Sequence, residues 1–252
     1  MSLLDTSEKF DVDSVAVIGA GPGGLAAAKL VCFFNVNARA YRSSRYLVAE
    51  QRFSKIEIFE QRDSVGGIWT YSPLNVVDDF TIPRTKPSES ADAAIYVAGC
   101  DIPKFVSPVY DQLETNIPHT LMNYSDQRFP EGTPLFPAHT AVKSYLEEYA
   151  KDLRSLLSLS TQVRKINKFS DGNKKQWQIE TLDLRSRVTR KSMFDAVIVA
   201  SGHYNDPFIP DIPGLASFGK AYQRSISHSK FYRNPSQYRD KVRHTEPVLV
   251  TC

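Results

Sequence analysis

Residues 14–24 read SVAVIGAGPGG, and LAAAKL follows them directly. Ser14–Ile18 is a short apolar run rich in β-branched residues, the pattern of a buried strand. Six residues, Gly19-Ala20-Gly21-Pro22-Gly23-Gly24, then lead into a helix-forming run. A GxGxxG match carries weight only between a strand and a helix, and that is where this one lies. Each glycine has a physical task in such a turn. Gly19 permits the tight turn, Gly21 lets backbone approach a pyrophosphate, and Gly24 allows close packing of helix and strand. The first N–H groups of the helix then face the anion.

A dinucleotide-binding turn of this kind needs a carboxylate at the end of the next strand, about 20 residues on, to hold a ribose. Ile56–Glu60 (IEIFE) is the next short strand, and Glu60 closes it. It lies 41 positions after Gly19. Removing Leu30–Arg45 would leave one continuous helix running into that strand, with Glu60 25 positions after Gly19. These sixteen residues hold several arginines and a Val-Cys-Phe-Phe run that suits neither helix nor strand. They are read as an insertion (30–45) in the first βαβ unit, of the kind a translated intron would leave.

Outward from this unit, residues 71–108 hold five prolines with no clear period, and they read as a long irregular excursion. Apolar spacing predicts a helix over Thr140–Leu159 and a strand over Thr161–Ile166. Gln176–Leu182 and Ser186–Ser192 read as strands of a hairpin, and Ala196–Ala200 as a buried strand running into Ser201-Gly202. The fold class expected is α/β: a Rossmann-like βαβ unit with a parallel sheet, plus a small antiparallel β-meander.

Composition narrows the function. Apolar residues make up 42% and charged residues 23%, values of a globular chain with a core of its own. The net charge of +3 gives no general nucleic-acid footprint. The polar N-terminus does not read as a signal peptide, and the glycine turn excludes Val15–Phe34 as a membrane span. The three cysteines Cys32, Cys100 and Cys252 form no CxxC, so a zinc site, a dithiol centre and a disulfide framework are not expected. A reducing, cytoplasmic setting fits.

Five stretches in order carry a family resemblance: GAGPGG; FEQRDSVGGIW (59–69); YDQLETNIPHTLMNYSDQRFP (110–130); FPAHTAVKSYLEEYA (136–150); and DAVIVASGHYNDPFIPDIPG (195–214). Together they resemble the N-terminal half of a flavin-containing monooxygenase of fungal type, dimethylaniline monooxygenase-like. The resemblance implies FAD and NADPH as cofactors, with O2 and a small-molecule nitrogen or sulfur nucleophile as reactants. It implies that Gly19, Gly21 and Gly24, with Ala20, Pro22 and Gly23 between them, form the FAD pyrophosphate turn. Glu60 is then the adenosine-ribose acid, with Gln61 beside it. Gly67 and Trp69 belong to a segment beside the flavin, and Asn116 is the active-site asparagine linked to oxygen activation. Val163 contacts the adenine through its backbone, and Ser201-Gly202 stands where the family has an ATG turn. His228 and Tyr232 match the end of a motif FxGxxxHxxxY.

The residue types alone keep second readings open: Trp69 as a core aromatic, Asn116 as a turn residue, and His228 as a loop histidine at the surface. There are also departures from the pattern. Phe218 and Gly219 are adjacent, Gln223-Arg224 replaces a Pro-Gly, and Gln127 replaces an aromatic. The sequence holds no second GxGxxG. The resemblance implies that residues 1–215 are an FAD-binding domain and 216–252 the truncated start of an NADPH-binding region. The functional expectation is a monooxygenase; the alternative is a non-catalytic FAD-binding remnant.

Overall fold

The computed structural model describes residues 12–35, 53–73, 81–88, 92–99, 101–171, 174–203, 205–222, 226–239 and 249–250. In chain order the elements are β1 (Ser14–Ile18), α1 (Pro22–Asn35), β2 (Lys55–Phe59), α2 (His139–Tyr149), β3 (Leu157–Ser158), β4 (Thr161–Asp171), β5 (Lys174–Asp183), β6 (Thr189–Phe194), β7 (Ala196–Val199), α3 (Leu215–Ala221), β8 (Ser227–His228) and β9 (Leu249–Val250). Short 3-10 turns lie at Gly67–Trp69, His119–Leu121, Lys151–Leu156, Ser229–Phe231 and Pro235–Tyr238. The chain forms two compact units, each made of two separated stretches. One comprises Met1–Gln61 with Leu153–Ser201, the other Arg62–Asp152 with Gly202–Cys252.

The first unit is built on a four-stranded sheet in the order β3-β2-β1-β7. All three pairings are parallel, with Val17 opposite Ile58 on one side and Ile198 on the other. Parallel neighbours need a crossover, and α1 supplies it between β1 and β2. The helix turns Leu25, Ala28 and Val31 inward, three residues apart, while Leu30 is exposed. A three-stranded antiparallel meander, β4-β5-β6, completes the unit. Its inner side chains meet the parallel sheet in a cluster of Ala16, Phe59, Ile179 and Phe194, with Val163 and Val197 packed against it. The Phe59 and Phe194 rings meet edge to face at 5.9 Å. The parallel sheet with a β-meander is therefore the α/β architecture read from the sequence.

Several boundaries differ from the sequence reading. Leu30–Asn35 is not foreign to the first helix: α1 runs through it, because no glycine or proline stops it and Val31 extends the buried face. The remainder of the 30–45 segment, from Val36 on, lies outside the described residues. The helix over 140–159 is a true α-helix only to Tyr149; it then tightens to a 3-10 turn and a two-residue strand. Leu153 is fully buried, and a spacing of three serves a 3-10 turn as well as an α-helix. The first meander strand runs on to Asp171 rather than stopping at Ile166. The third starts at Thr189 rather than Ser186. Asp183 accepts from the N–H groups of Arg185 and Ser186 at 2.9 and 2.8 Å, so those residues form the turn.

Asp195 ties the start of β1 to the meander. Its carboxylate accepts from the Ser14 N–H at 2.9 Å, the Ser14 hydroxyl at 2.7 Å, the Asp13 N–H at 3.1 Å and the Gln176 amide at 2.9 Å. Burial alone would raise its pKa. The hydrogen bonds from Ser14, Gln176 and Asp13 outweigh that and hold it down at about 2. A depressed carboxyl stabilises the fold above its unfolded value, and that contribution is lost as pH falls through the folded one. Asp195→Ala is therefore expected to weaken the fold at pH 7 by about 1–2 kcal/mol, a figure discounted for partial contact with solvent. Urea titrations of the two proteins should converge as pH falls from about 4 to about 2.

In the second unit the irregular excursion keeps its expected character: among the described residues of 71–108 there is no helix and no named strand, only isolated bridges at Arg84 and at Ile95 with Lys104. A small core of Ile209, Leu215 and Ile226 gathers Ile82 and Phe218. A second group lies along α2, whose buried face is Val142, Tyr145, Leu146 and Tyr149. Tyr145 stacks on Phe129 with centroids 4.0 Å apart.

Candidate functional site

The site in the first unit is assembled where β1, β2 and β7 end. Gly19 has φ +98°, a left-handed conformation that favours glycine. Its N–H donates to Phe59 O at 2.8 Å, while the Ala200 N–H donates to Ile18 O at 2.8 Å, so the turn leaves the sheet with both neighbours still paired. A Cβ on Gly19 would lie 2.5 Å from Ala200 O; one on Gly24 would lie 1.8 Å from Gly19 O. Gly24 is thus required by the turn itself rather than by the strand alone, and Ala200 Cβ lies 3.5 Å from the same point. Helix α1 begins at Pro22, which lacks an N–H that would have had no partner there. The Leu25 N–H reaches Gly21 O at 2.9 Å. The N–H groups of Gly23 and Gly24 precede that bond, at the end of a helix where donors lack intrahelical acceptors. Around Gly23 nothing lies within 4 Å of a Cβ.

Glu60 is 4% exposed, and its Oε2 accepts from the Ala20 N–H at 2.8 Å. The backbone holds it there: the Glu60 N–H donates to Ser158 O at 3.0 Å, and Glu60 O accepts from the Thr161 N–H at 2.9 Å. A buried carboxylate is thereby fixed against the glycine turn, 40 residues away in sequence. Gln61 Oε1 accepts from the Gln162 amide at 3.0 Å, and Gln162 Oε1 accepts from Arg164 at 2.6 Å. Val163 lies between them, where the β4–β5 register shifts. The sequence reading missed Gln162 as the partner of Gln61; alternation along 161–166 gave no sign that an inward position would be polar. Ser201 follows Ala200 directly, and its Cα lies 3.4 Å from the Gly19 Cβ position. The structure brings together Gly19–Gly24, Glu60, Gln61, Val163 and Ser201 in one unit.

The remaining candidates lie in the second unit. Gly66 and Gly67 both have positive φ, and the 3-10 turn Gly67–Trp69 follows, with Trp69 half-buried. The Ser107 hydroxyl donates to Ile68 O, and Tyr71 OH donates to Asp111 Oδ1 at 2.6 Å. The Tyr71 bond lowers the Asp111 pKa, helped by an amide bond from Asn234. Asn116 is exposed, in a turn closed by the Thr115 hydroxyl on Ile117 O at 2.9 Å. Gly202 has φ +75° and is exposed. His228 is not a surface histidine: it is 5% exposed, and its Nδ1 accepts from the Lys230 N–H at 3.1 Å. Tyr232 packs on Tyr110 at 5.4 Å. Gln127 fills the place of an aromatic by bonding its amide to Tyr145 O at 2.9 Å. Gln223-Arg224 lies outside the described residues.

A glycine turn with open amides, a helix behind it and a buried acid at the end of the second strand define a dinucleotide-binding α/β unit. The cradle fits a diphosphate, because at Gly19 and Gly24 any side chain would fill or distort it. The family described as "Flavin-binding monooxygenase-like" matches residues 104–245, more than half of the chain, and the chain belongs to that family. The chain is 30% identical over 239 residues to "Flavin-containing monooxygenase FMO GS-OX-like 4" of Arabidopsis thaliana, a match covering 90% of this chain and 44% of that one. With the "Thiol-specific monooxygenase" of Saccharomyces cerevisiae it shares 33% identity over 239 residues, covering 92% and 43%. The crystal structure of Tmm from Pelagibacter sp. strain HTCC7211 has the same fold over 90% of this chain and 43% of its own (TM-score 0.61, 23% identity). The chain thus spans a little under half the length of these curated relatives. Among the described residues no helix is long and apolar enough to cross a membrane.

Proposed function

We propose that this chain carries the FAD-binding part of a monooxygenase that uses NADPH and O2 to oxygenate nitrogen or sulfur in small molecules. The observation that carries this reading is the buried Glu60 carboxylate held against the Ala20 N–H of a turn that only glycine fits at positions 19 and 24. In this reading residues 1–215 serve FAD and 216–252 begin the NADPH-binding region. FAD, when bound, supplies the redox and oxygen-activating chemistry.

The chain's own residues bind and orient. The Gly23 and Gly24 N–H groups and the helix behind them receive the diphosphate. Glu60 accepts from ribose hydroxyls, and Gln61 and the Val163 backbone bound the adenine. Ser201 and Gly202, and separately Gly67 and Trp69, are the further segments that would serve the cofactor, where a glycine admits close backbone approach. Asn116 would offer a donor and an acceptor to the reacting oxygen, and losing one such contact costs about 0.5–1.5 kcal/mol. Sulfur oxygenation draws support from the yeast relative, a monooxygenase named for its specificity toward thiols.

The test is the visible spectrum of the purified 252-residue chain after incubation with FAD, before and after NADPH. Retained flavin absorbance is the expected result, and bleaching by NADPH would add hydride transfer from NADPH to the bound flavin. Flavin retained without bleaching assigns flavin binding alone. No retained flavin would refute the proposal.

A further inference from the structure

We infer that the second unit holds a binding site for a small organic oxyanion, a carboxylate or a phosphate monoester on a compact body, in the cavity lined by His119, Thr120, Asn123, Arg128 and Phe129. This goes beyond the flavin reading and stands without it. The hollow, partly open to solvent, holds about 410 Å³, room for a small ligand rather than a lone water.

Its lining is rich in donors and contains no carboxylate. Arg128 is exposed and makes no hydrogen bond or ion pair among the described residues. A guanidinium is a fork of donors matched to two oxygens of a carboxylate or phosphate. Asn123 is oriented by its own fold: Oδ1 accepts from the Phe129 N–H at 3.0 Å, which fixes the NH2 end opposite. That NH2 reaches only Thr120 O, at a long 3.4 Å, and keeps a hydrogen for a ligand. The His119 ring borders the cavity, and its Nδ1 is buried without a hydrogen-bond partner.

The wall behind these groups is rigid. Phe129 is buried, stacks on Tyr145 at 4.0 Å and meets the His119 ring at 5.5 Å. The His119 backbone is pinned by its N–H on Leu135 O at 2.9 Å. The nearby acid Asp126 is turned to other work, bonding Tyr149. A cation, an amide donor and a fixed aromatic wall beside an imidazole, with no acid among them, select a small organic oxyanion.

The experiment titrates the full chain with benzoate, phenyl phosphate and neutral benzamide, read by backbone amide shifts. Benzoate or phenyl phosphate should saturate, with shifts confined to residues 119–129. Benzamide should bind about ten-fold or more weakly, and Arg128→Gln should weaken the anion by a similar factor. Saturation by benzoate alone assigns a carboxylate, and by phenyl phosphate alone a phosphate ester. An unchanged melting temperature in Arg128→Gln shows that the exposed side chain was removed without loss of fold. Absence of saturation by either anion below about 10 mM overturns the inference. So does equal binding of benzamide, or equal binding by Arg128→Gln.

Discussion

Replacing Gly24 by alanine is expected to abolish flavin binding and to destabilise the first unit by about 3 kcal/mol or more. Overpacking in a close-packed region costs about 1–3 kcal/mol when side chains give way. Here the added methyl would sit 1.8 Å from a backbone oxygen, Gly19 O, and 2.8 Å from its carbon. No rotamer relieves that clash, so the turn must open. Opening it moves Gly19, whose own Cβ position lies 2.5 Å from Ala200 O, and breaks the alignment of the amides that face the diphosphate. Gly23→Ala is the internal control. Nothing lies within 4 Å of that position, and its φ is ordinary for a helix. Alanine there should stabilise the chain by about 0.5–1 kcal/mol through lower unfolded-state entropy. Urea unfolding and bound-flavin absorbance, measured on both variants, check this. Two neighbouring glycines should differ in the sign of their effect on stability; equal effects would mean that the turn is not shaped as described.

That contrast shows where the sequence spoke clearly. The strand Ser14–Ile18, the glycine turn and the carboxylate at Glu60 were legible because each rests on a local rule: β-branched residues, positive φ, and a fixed strand–turn–helix order. What GxGxxG could not show is which atoms forbid a side chain. Gly24 answers to Gly19 O and Ala200, and Ala200, just past the end of β7, lies 176 residues further on. The meander was readable as strands, but its turn was decided by the Asp183 carboxylate, a competition between side chain and ladder that alternation does not register. The end of α2 was hidden for another reason. Leu153 and Leu156 keep a spacing of three that α and 3-10 turns share, and the pairing of Leu157 with Ile58 ends the helical run. Burial of polar groups was the least legible property. His228, Gln162 and Arg233 are all at most 5% exposed, and each is sheltered by bonds to distant or backbone partners that composition does not reveal.

The same logic separates two roles of Glu60, and the pair Glu60→Gln and Glu60→Ala is expected to split them. In Glu60→Gln the amide oxygen can still accept from the Ala20 N–H, so the turn persists and stability should fall by less than about 1 kcal/mol. The charge is lost, however. Hydrogen bonds to a charged acceptor contribute about 1.5–3 kcal/mol against about 0.5–1.5 for a neutral one. Flavin affinity should therefore drop roughly ten-fold or more, because ribose hydroxyls meet a weaker acceptor. Glu60→Ala removes the acceptor altogether and leaves the Ala20 N–H buried without its partner, at a cost of about 1–3 kcal/mol. Its flavin loss should be larger again, near a hundred-fold. Flavin titration by fluorescence quenching, alongside urea unfolding of each variant, reads the two effects separately. If Glu60→Gln binds FAD as tightly as the parent while Glu60→Ala is merely less stable, the carboxylate is a brace for the turn and not a ribose ligand. If affinity falls in Glu60→Gln with stability nearly unchanged, the acid acts on the cofactor itself, since bracing alone predicts no such loss.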